Sequence, residues 1–148
     1  MKNNIIRTKK LKYERAQSLV EFALSLLLIL TILTGAVEIS LALFEYVTIR
    51  DAAQEGALYG SVNPNDTVGI RNRAIDAAND VLRLTTSNVV VTINGGACEG
   101  ITGGVSNTIR VTITYPHRII MPLAGTFVGQ QINLSASVTD TILTPICS

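Results

Sequence analysis

From Ser18 to Val37 the chain reads SLVEFALSLLLILTILTGAV, an apolar run whose single charge, Glu21, lies near its start. At 1.5 Å per helical residue, its ~20 residues cover roughly the 30 Å hydrocarbon core of a bilayer. The run can therefore span a membrane, and in 148 residues it leaves room for one small globular domain besides. Aromatic residues make up only 5% of the chain and Trp is absent, a balance that fits an aliphatic membrane segment better than a large aromatic core.

Charge fixes the expected direction of the span. Every lysine (Lys2, Lys9, Lys10 and Lys12) precedes the run, joined there by Arg7 and Arg15 and opposed only by Glu14. No comparable basic cluster follows it. The positive-inside bias then keeps the N-terminus in the cytoplasm and exports the remainder. That remainder is mildly acidic and lacks the electrostatic footprint of a nucleic-acid binder. A cleavable secretory signal also begins basic and turns apolar. Its apolar core is usually only about 7–15 residues and is uncharged, whereas this run is longer and opens with a carboxylate.

Neither Pro nor a turn cluster interrupts the chain from Gln17 to Gly60, and Asn63-Pro64-Asn65-Asp66 then breaks it. The simplest expectation is one helix over 17–60, roughly 65 Å long by the same rise. Beyond Glu38, the residues Ile39, Leu43, Tyr46, Val47, Ala53 and Ala57 recur at near-helical spacing and ask for a packing partner. Ala52, Gly56 and Gly60 form a small-xxx-small row that permits close backbone approach. That row serves either to seat the helix on its own domain, the favoured reading, or to contact another subunit.

Asp66 or Thr67 can cap a second helix running to about Leu84, with Ala74, Ile75, Ala78, Val81 and Leu82 on one side and Arg71, Arg73, Asp76 and Asp80 facing water. Three alternating segments follow. Val89, Val91 and Ile93 form the first; Ile109, Val111, Ile113 and Tyr115 the second; Ile132, Leu134, Ala136 and Val138 the third. Period-two patterning of this kind belongs to an antiparallel sheet with one wet face. The expected fold class is α+β: a long transmembrane and stalk helix, a second helix, and a three-stranded antiparallel sheet packed on the helices. Residues 1–16 form a basic cytoplasmic leader, 17–60 the transmembrane and stalk helix, and 61–148 the exported domain.

The chemistry-bearing residues assemble no catalytic set. The glycine-rich stretch from Asn94 to Gly104 lacks the lysine and hydroxyl of a phosphate cradle and joins two strands, so it reads as a hairpin connection. His117 is the sole histidine and reads as a surface residue at a strand end. Asp76 and Asp80 share a helix face with Arg73 and Arg83 nearby, which reads as a solvated charged face. Cys98 and Cys147 are the only cysteines. An exported, oxidising location would let them pair at a typical gain of about 2–4 kcal/mol, and two free thiols are the equal alternative. With no CxxC spacing there is no zinc or redox motif. No enzyme activity, cofactor or metal is expected.

The words around the first carboxylate carry more. RAQSLVEFAL resembles the processing site of type IV pilin-like precursors, and AVEISLALFEYVTIRDAAQEGALYGSV, with its DAAQEGALYG, is similar to the stretch that follows the apolar run in TadE-like pseudopilins (minor pilins) of tight-adherence, or Flp-type, pili. QSLVEF and AAQEGA are the specific parts of that likeness. The resemblance implies a cut between Ala16 and Gln17 by a prepilin peptidase, leaving Gln17 as the first mature residue. It also implies that Glu21 meets the new N-terminus of a neighbouring subunit. Ala16 stands where those families usually carry Gly. The implied partners are the peptidase, other pilin-like subunits, the inner-membrane assembly platform and the lipid bilayer. The implied location is the inner membrane, single-pass, with incorporation into an extracellular pilus as the further step. An uncut, membrane-anchored exported binding domain is the competing expectation.

Overall fold

The computed structural model describes residues 2–94, 101–102, 105–121, 125 and 129–143, with residues 2–16, 101–102 and 105–106 described by backbone alone. Two units make up the chain, Met1–Ile39 and Ser40–Ser148. Helix α1 runs from Lys2 to Val62 and contributes to both.

In the first unit the residues from Gln17 onward are exposed or, at Thr31, Gly35 and Glu38, half-exposed. Hydroxyls within the apolar run turn inward on the helix itself. Thr31 donates to the Leu27 carbonyl at 2.8 Å and Thr34 to that of Leu30 at 2.9 Å. Such back-bonding satisfies a hydroxyl without water, as a hydrocarbon surrounding demands.

The second unit is built on the last turns of α1. Pro64 is fully buried and, having no N–H, cannot continue a helix. The chain turns there, the Asp66 N–H donating to the Asn63 carbonyl at 3.2 Å. Asp66 then caps α2 (Thr67–Ala78), its side chain accepting from the Gly69 N–H at 2.8 Å. A 3-10 turn at Thr86–Asn88 leads into β1 (Val89–Asn94). The short pair β2 (Ile101–Thr102) and β3 (Val105–Ser106) precedes β4 (Thr108–Arg118) and β5 (Gln131–Thr141).

Strands β1, β4 and β5 form an antiparallel sheet in the order β1-β4-β5, and β2 pairs with β3 apart from it. The register sets Val91 opposite Val111 and Val111 opposite Val138, and likewise Val89, Ile113 and Ala136 in one row. The inward face is thus apolar across all three strands. On the opposite face Thr112 and Ser137 share a hydrogen bond of 3.0 Å, and Arg110 Nε donates to the Thr139 hydroxyl at 3.0 Å. The inward rows close on Ile49, Ala53 and Ala57 of α1 and on Ile70 and Ala74 of α2, all with no exposed surface. Each fully buried isoleucine contributes about 1.5–3 kcal/mol. Two backbone bonds fasten the end of β5: Ile142 N–H to the Asn107 carbonyl at 2.9 Å, and Leu143 N–H to the Ser61 carbonyl at 2.8 Å.

The α+β class and the three-stranded antiparallel sheet are as the sequence implied, and four details are not. Helix α2 stops at Ala78, short of Leu84. Leu82 and Leu84 are both buried, and residues two apart can share an inward face only on an extended backbone. Val81, expected on the buried side, is 48% exposed and lies in the turn that ends α2, its N–H donating to the Ala78 carbonyl at 3.0 Å. On α1, Ile39, Leu43, Tyr46 and Val47 are exposed; the buried stripe is Ile49, Ala52, Ala53, Gly56, Ala57 and Gly60. At Gly56 and Gly60 the helix approaches Ala74, Ile70 and Ile109 too closely for bulky side chains. Finally, β4 does not end with the alternating segment at Tyr115 but continues through Pro116, His117 and Arg118. Cys98 and Cys147, and with them the choice between a disulfide and two free thiols, lie outside the described residues, as does most of the glycine-rich stretch.

Candidate functional site

Gln17 and Glu21 lie four residues apart on α1, hence on one side of the helix and about 6 Å apart along its axis. Both are exposed. Of Ala16, the other half of the expected cleavage point, only the backbone is described, and it is helical. Around Glu21 the helix presents Leu19, Val20, Phe22 and Leu24, each more than half exposed. None of the most apolar window of the stretch Gln17–Val62 is buried against the rest of the chain, and its mean hydropathy is 2.3. A core helix of a soluble domain would bury such a stripe. This helix is long and apolar enough to cross a membrane, and it is a candidate anchor. A carboxylate within such a segment costs on the order of 2.5–3.5 kcal/mol at the bilayer centre and less toward its edge. It therefore favours a position near the headgroups or a cationic partner.

Further along α1, the small residues face the domain. A Cβ at Gly56 would lie 3.0 Å from Ala74 Cβ and 3.2 Å from the Ile70 carbonyl oxygen; one at Gly60 would run into Ile109 Cδ1. Ala52 is 1% exposed. The row Ala52, Gly56 and Gly60 thus packs against α2 and β4 of its own chain.

Two polar contacts pin α1 within the second unit. Near its lower end, Glu45 Oε2 meets His117 Nδ1 at 2.7 Å, with the histidine 4% exposed. His117 is therefore a buried partner of α1, not the surface residue expected. The period-two pattern of β4 carries it: Ile109, Val111, Ile113 and Tyr115 lead in step to His117 on the inward face. Glu45 is likewise four residues before Ile49, on the buried side of the helix. At the upper end, the Tyr59 hydroxyl donates to Asp66 Oδ2 at 3.0 Å. That hydrogen bond, and the negative charge behind it, raise the phenol's pKa above its ordinary value.

Among the described residues, no three His, Cys, Asp or Glu side chains gather as a metal would require. Asp76 and Asp80 are exposed. The concavities beside α1 are shallow surface grooves, one lined by Glu55, Tyr59, Asn63 and Arg73 among others. What the geometry organises is a helix: apolar and bare over its first part, seated on a small domain over its last.

Residues 16–58 match the family model described as TadE-like protein. This segment is similar to that family. The match opens at Ala16, immediately before Gln17, and closes at Leu58. The TadE-like segment thus takes in Glu21, the apolar run, Glu45 and the small residues Ala52 and Gly56, and it ends before the sheet begins. No curated protein and no solved structure matches the chain.

Proposed function

We propose that this chain is a pseudopilin, or minor pilin, of the type IV pilin-like kind, held in the inner membrane by α1 with its basic leader in the cytoplasm and its α+β domain exported. A prepilin peptidase cuts between Ala16 and Gln17, and the mature subunit enters or primes a tight-adherence pilus with other pilin-like subunits at the inner-membrane platform. The observation that carries this reading is the TadE-like match opening at Ala16, directly upstream of a bare apolar helix whose one carboxylate is Glu21.

The physical logic is a charge pairing. Cutting before Gln17 creates an α-amino group whose unperturbed pKa of about 7.7–8.0 leaves it largely protonated near neutrality. In a low-dielectric surrounding the ammonium needs a counter-charge, and Glu21 of an adjacent subunit supplies it. Each subunit's carboxylate then draws in the next subunit's amine, and the two helices take a defined axial stagger. No step calls on a catalytic residue, cofactor or metal of this chain.

The test is the mature N-terminus, sequenced from protein made in a host with its own prepilin peptidase. A chain beginning at Gln17 supports assembly. An intact Met1 in the membrane fraction would replace the proposal with an uncut anchor carrying an exported binding domain.

A further inference from the structure

Two hydrogen bonds fix which residues of β5 face β4. The Ile119 N–H donates to the Gln130 carbonyl at 3.0 Å and the Ile142 N–H to the Asn107 carbonyl at 2.9 Å, one pair beyond each end of the β4–β5 register. Opposed residues in an antiparallel ladder alternate between exchanging backbone bonds and exchanging none. Between Gln130 and Ile142 the bonded residues are therefore Ile132, Leu134, Ala136, Val138 and Asp140. Gln131, Asn133, Ser135, Ser137 and Thr139 turn their N–H and C=O groups away from β4, toward the outer edge of the sheet. Among the described residues, no hydrogen bond reaches these backbone groups.

The opposite side of the sheet is closed off. By the same alternation Thr114 and Pro116 turn their backbones toward the side of β1, past the end of that six-residue strand. There the Thr114 carbonyl accepts from Asn88 Nδ2 at 2.9 Å, and Pro116 has no N–H to leave unpaired. Helix α2 packs against β1 itself. Short edge strands, prolines and covering helices are how natural sheets blunt an edge, along with charges and bulges. By contrast β5 is 11 residues long, its register with β4 is unbroken, and from Gln131 to Thr139 it contains no Pro, Gly or charged residue. Its inward side chains are also incompletely covered. Ile132 is 41% exposed and Leu134 and Val138 are half-buried, whereas Val111 and Ile113 on β4 have no exposed surface.

We infer that the outer edge of β5 takes up an extended segment of another protein as a fourth strand of the sheet. Its outward N–H and C=O groups recur at every second residue, about 7 Å apart over about 27 Å, and the groups that answer such a repeat are those of another extended backbone. The side chains define the rest of the partner's chemistry: apolar where it meets Ile132, Leu134 and Val138, hydroxyl or amide beside Asn133, Ser135 and Ser137, and uncharged. The contact lies within the unit Ser40–Ser148 and does not depend on α1 crossing a membrane.

The probe is a blocked synthetic peptide of the sequence 131–139, which has the required alternation, and the readout is amide hydrogen exchange in the full-length, detergent-solubilised protein. Before peptide is added, the amides of Asn133, Ser135 and Ser137 should exchange faster than those of Leu134, Ala136 and Val138. Saturating peptide should slow the first set by about tenfold or more and leave the second unchanged. The same peptide methylated at every backbone nitrogen should have no effect. Ser135→Pro removes an outward donor but no ladder bond, so it should keep the circular dichroism spectrum and lose the peptide's protection. If that variant does not fold, the two peptides compared on the wild-type chain decide the matter alone. No slowing at the peptide's solubility limit, or equal slowing by the methylated peptide, would overturn the inference. Protection of Asn133, Ser135 and Ser137 before any peptide is added would overturn it too, giving the edge to the chain itself in a monomer and to a second copy in a dimer, as sedimentation distinguishes.

Discussion

His117 and Glu45, 72 residues apart in sequence, meet at 2.7 Å and join the end of β4 to α1. An ionised carboxylate only accepts, so the ring's Nδ1 carries the shared proton. Truncating either partner leaves the other's polar atoms in a largely dry site, at a cost of about 1–3 kcal/mol. His117→Ala is therefore expected to lower the unfolding midpoint of the detergent-solubilised protein, followed by circular dichroism. In a double-mutant cycle with Glu45→Ala the pair should show a coupling of about 0.5–3 kcal/mol; strict additivity would mean that the contact contributes nothing.

Close approach at Gly56 makes a second prediction. With Ala74 Cβ and the Ile70 carbonyl already at 3.0 and 3.2 Å from a built Cβ, a leucine there must push α1 off α2. Overpacking of this kind costs about 1–3 kcal/mol or more. Gly56→Leu should destabilise the domain by that amount in chemical denaturation. Gly35→Leu, at a position with nothing within 4 Å, should leave the denaturation curve unchanged.

Tyr59 and Asp66 give a pH-dependent outcome. Because the phenol's pKa is raised by its hydrogen bond to Asp66 and by that residue's charge, the folded chain holds this proton more tightly than the unfolded one. The contact's stability is present below the ordinary phenol range and is lost as pH climbs through the raised value. Tyr59 is exposed enough that the effect on stability is small. The direct measurement is the absorbance of tyrosinate, isolated as the difference from Tyr59→Phe. Asp66→Asn retains an N-cap of equal quality and should move the Tyr59 titration down toward the ordinary range. An unmoved titration would break the assignment.

The parts of the fold legible in the sequence are those set by local pattern. Alternation through Ile109, Val111 and Ile113, and again through Ala136 and Val138, is a property of the chain alone, and so is the unbroken run into α1. What escaped depended on neighbours. Bulky Leu43 and Val47 look like a packing stripe, but the buried face is set by where α2 and β4 lie, and it carries Ile49, Ala52, Ala53, Gly56 and Ala57 instead. Leu82 and Leu84 look helical until both must be buried. His117 looks like a surface residue unless the alternation is carried through Pro116. Within the candidate site, Gln17 and Glu21 can be placed on one helix side from spacing alone, whereas the pairing proposed between them spans two chains and is beyond what a single sequence encodes locally.

Glu21 supplies the last prediction, which separates two explanations for a carboxylate near the start of an apolar helix. If it only favours the positive end of the helix dipole that a cut before Gln17 would create, its worth is about 0.3–1 kcal/mol, and Glu21→Gln should change neither insertion nor assembly measurably. If it binds the adjacent subunit's ammonium, its loss removes a charge-assisted bond of about 1.5–3 kcal/mol. That corresponds to about tenfold or more in each assembly step. We expect Glu21→Gln and Glu21→Ala to reach the membrane fraction in normal amounts, since removing a charge from an apolar segment cannot hinder insertion. Sheared surface pili carrying the subunit should fall by that factor. Leader removal, read on the same samples by the mature N-terminus, must remain intact for the loss to count as one of assembly, and wild-type piliation in both variants would leave Glu21 with the dipole alone.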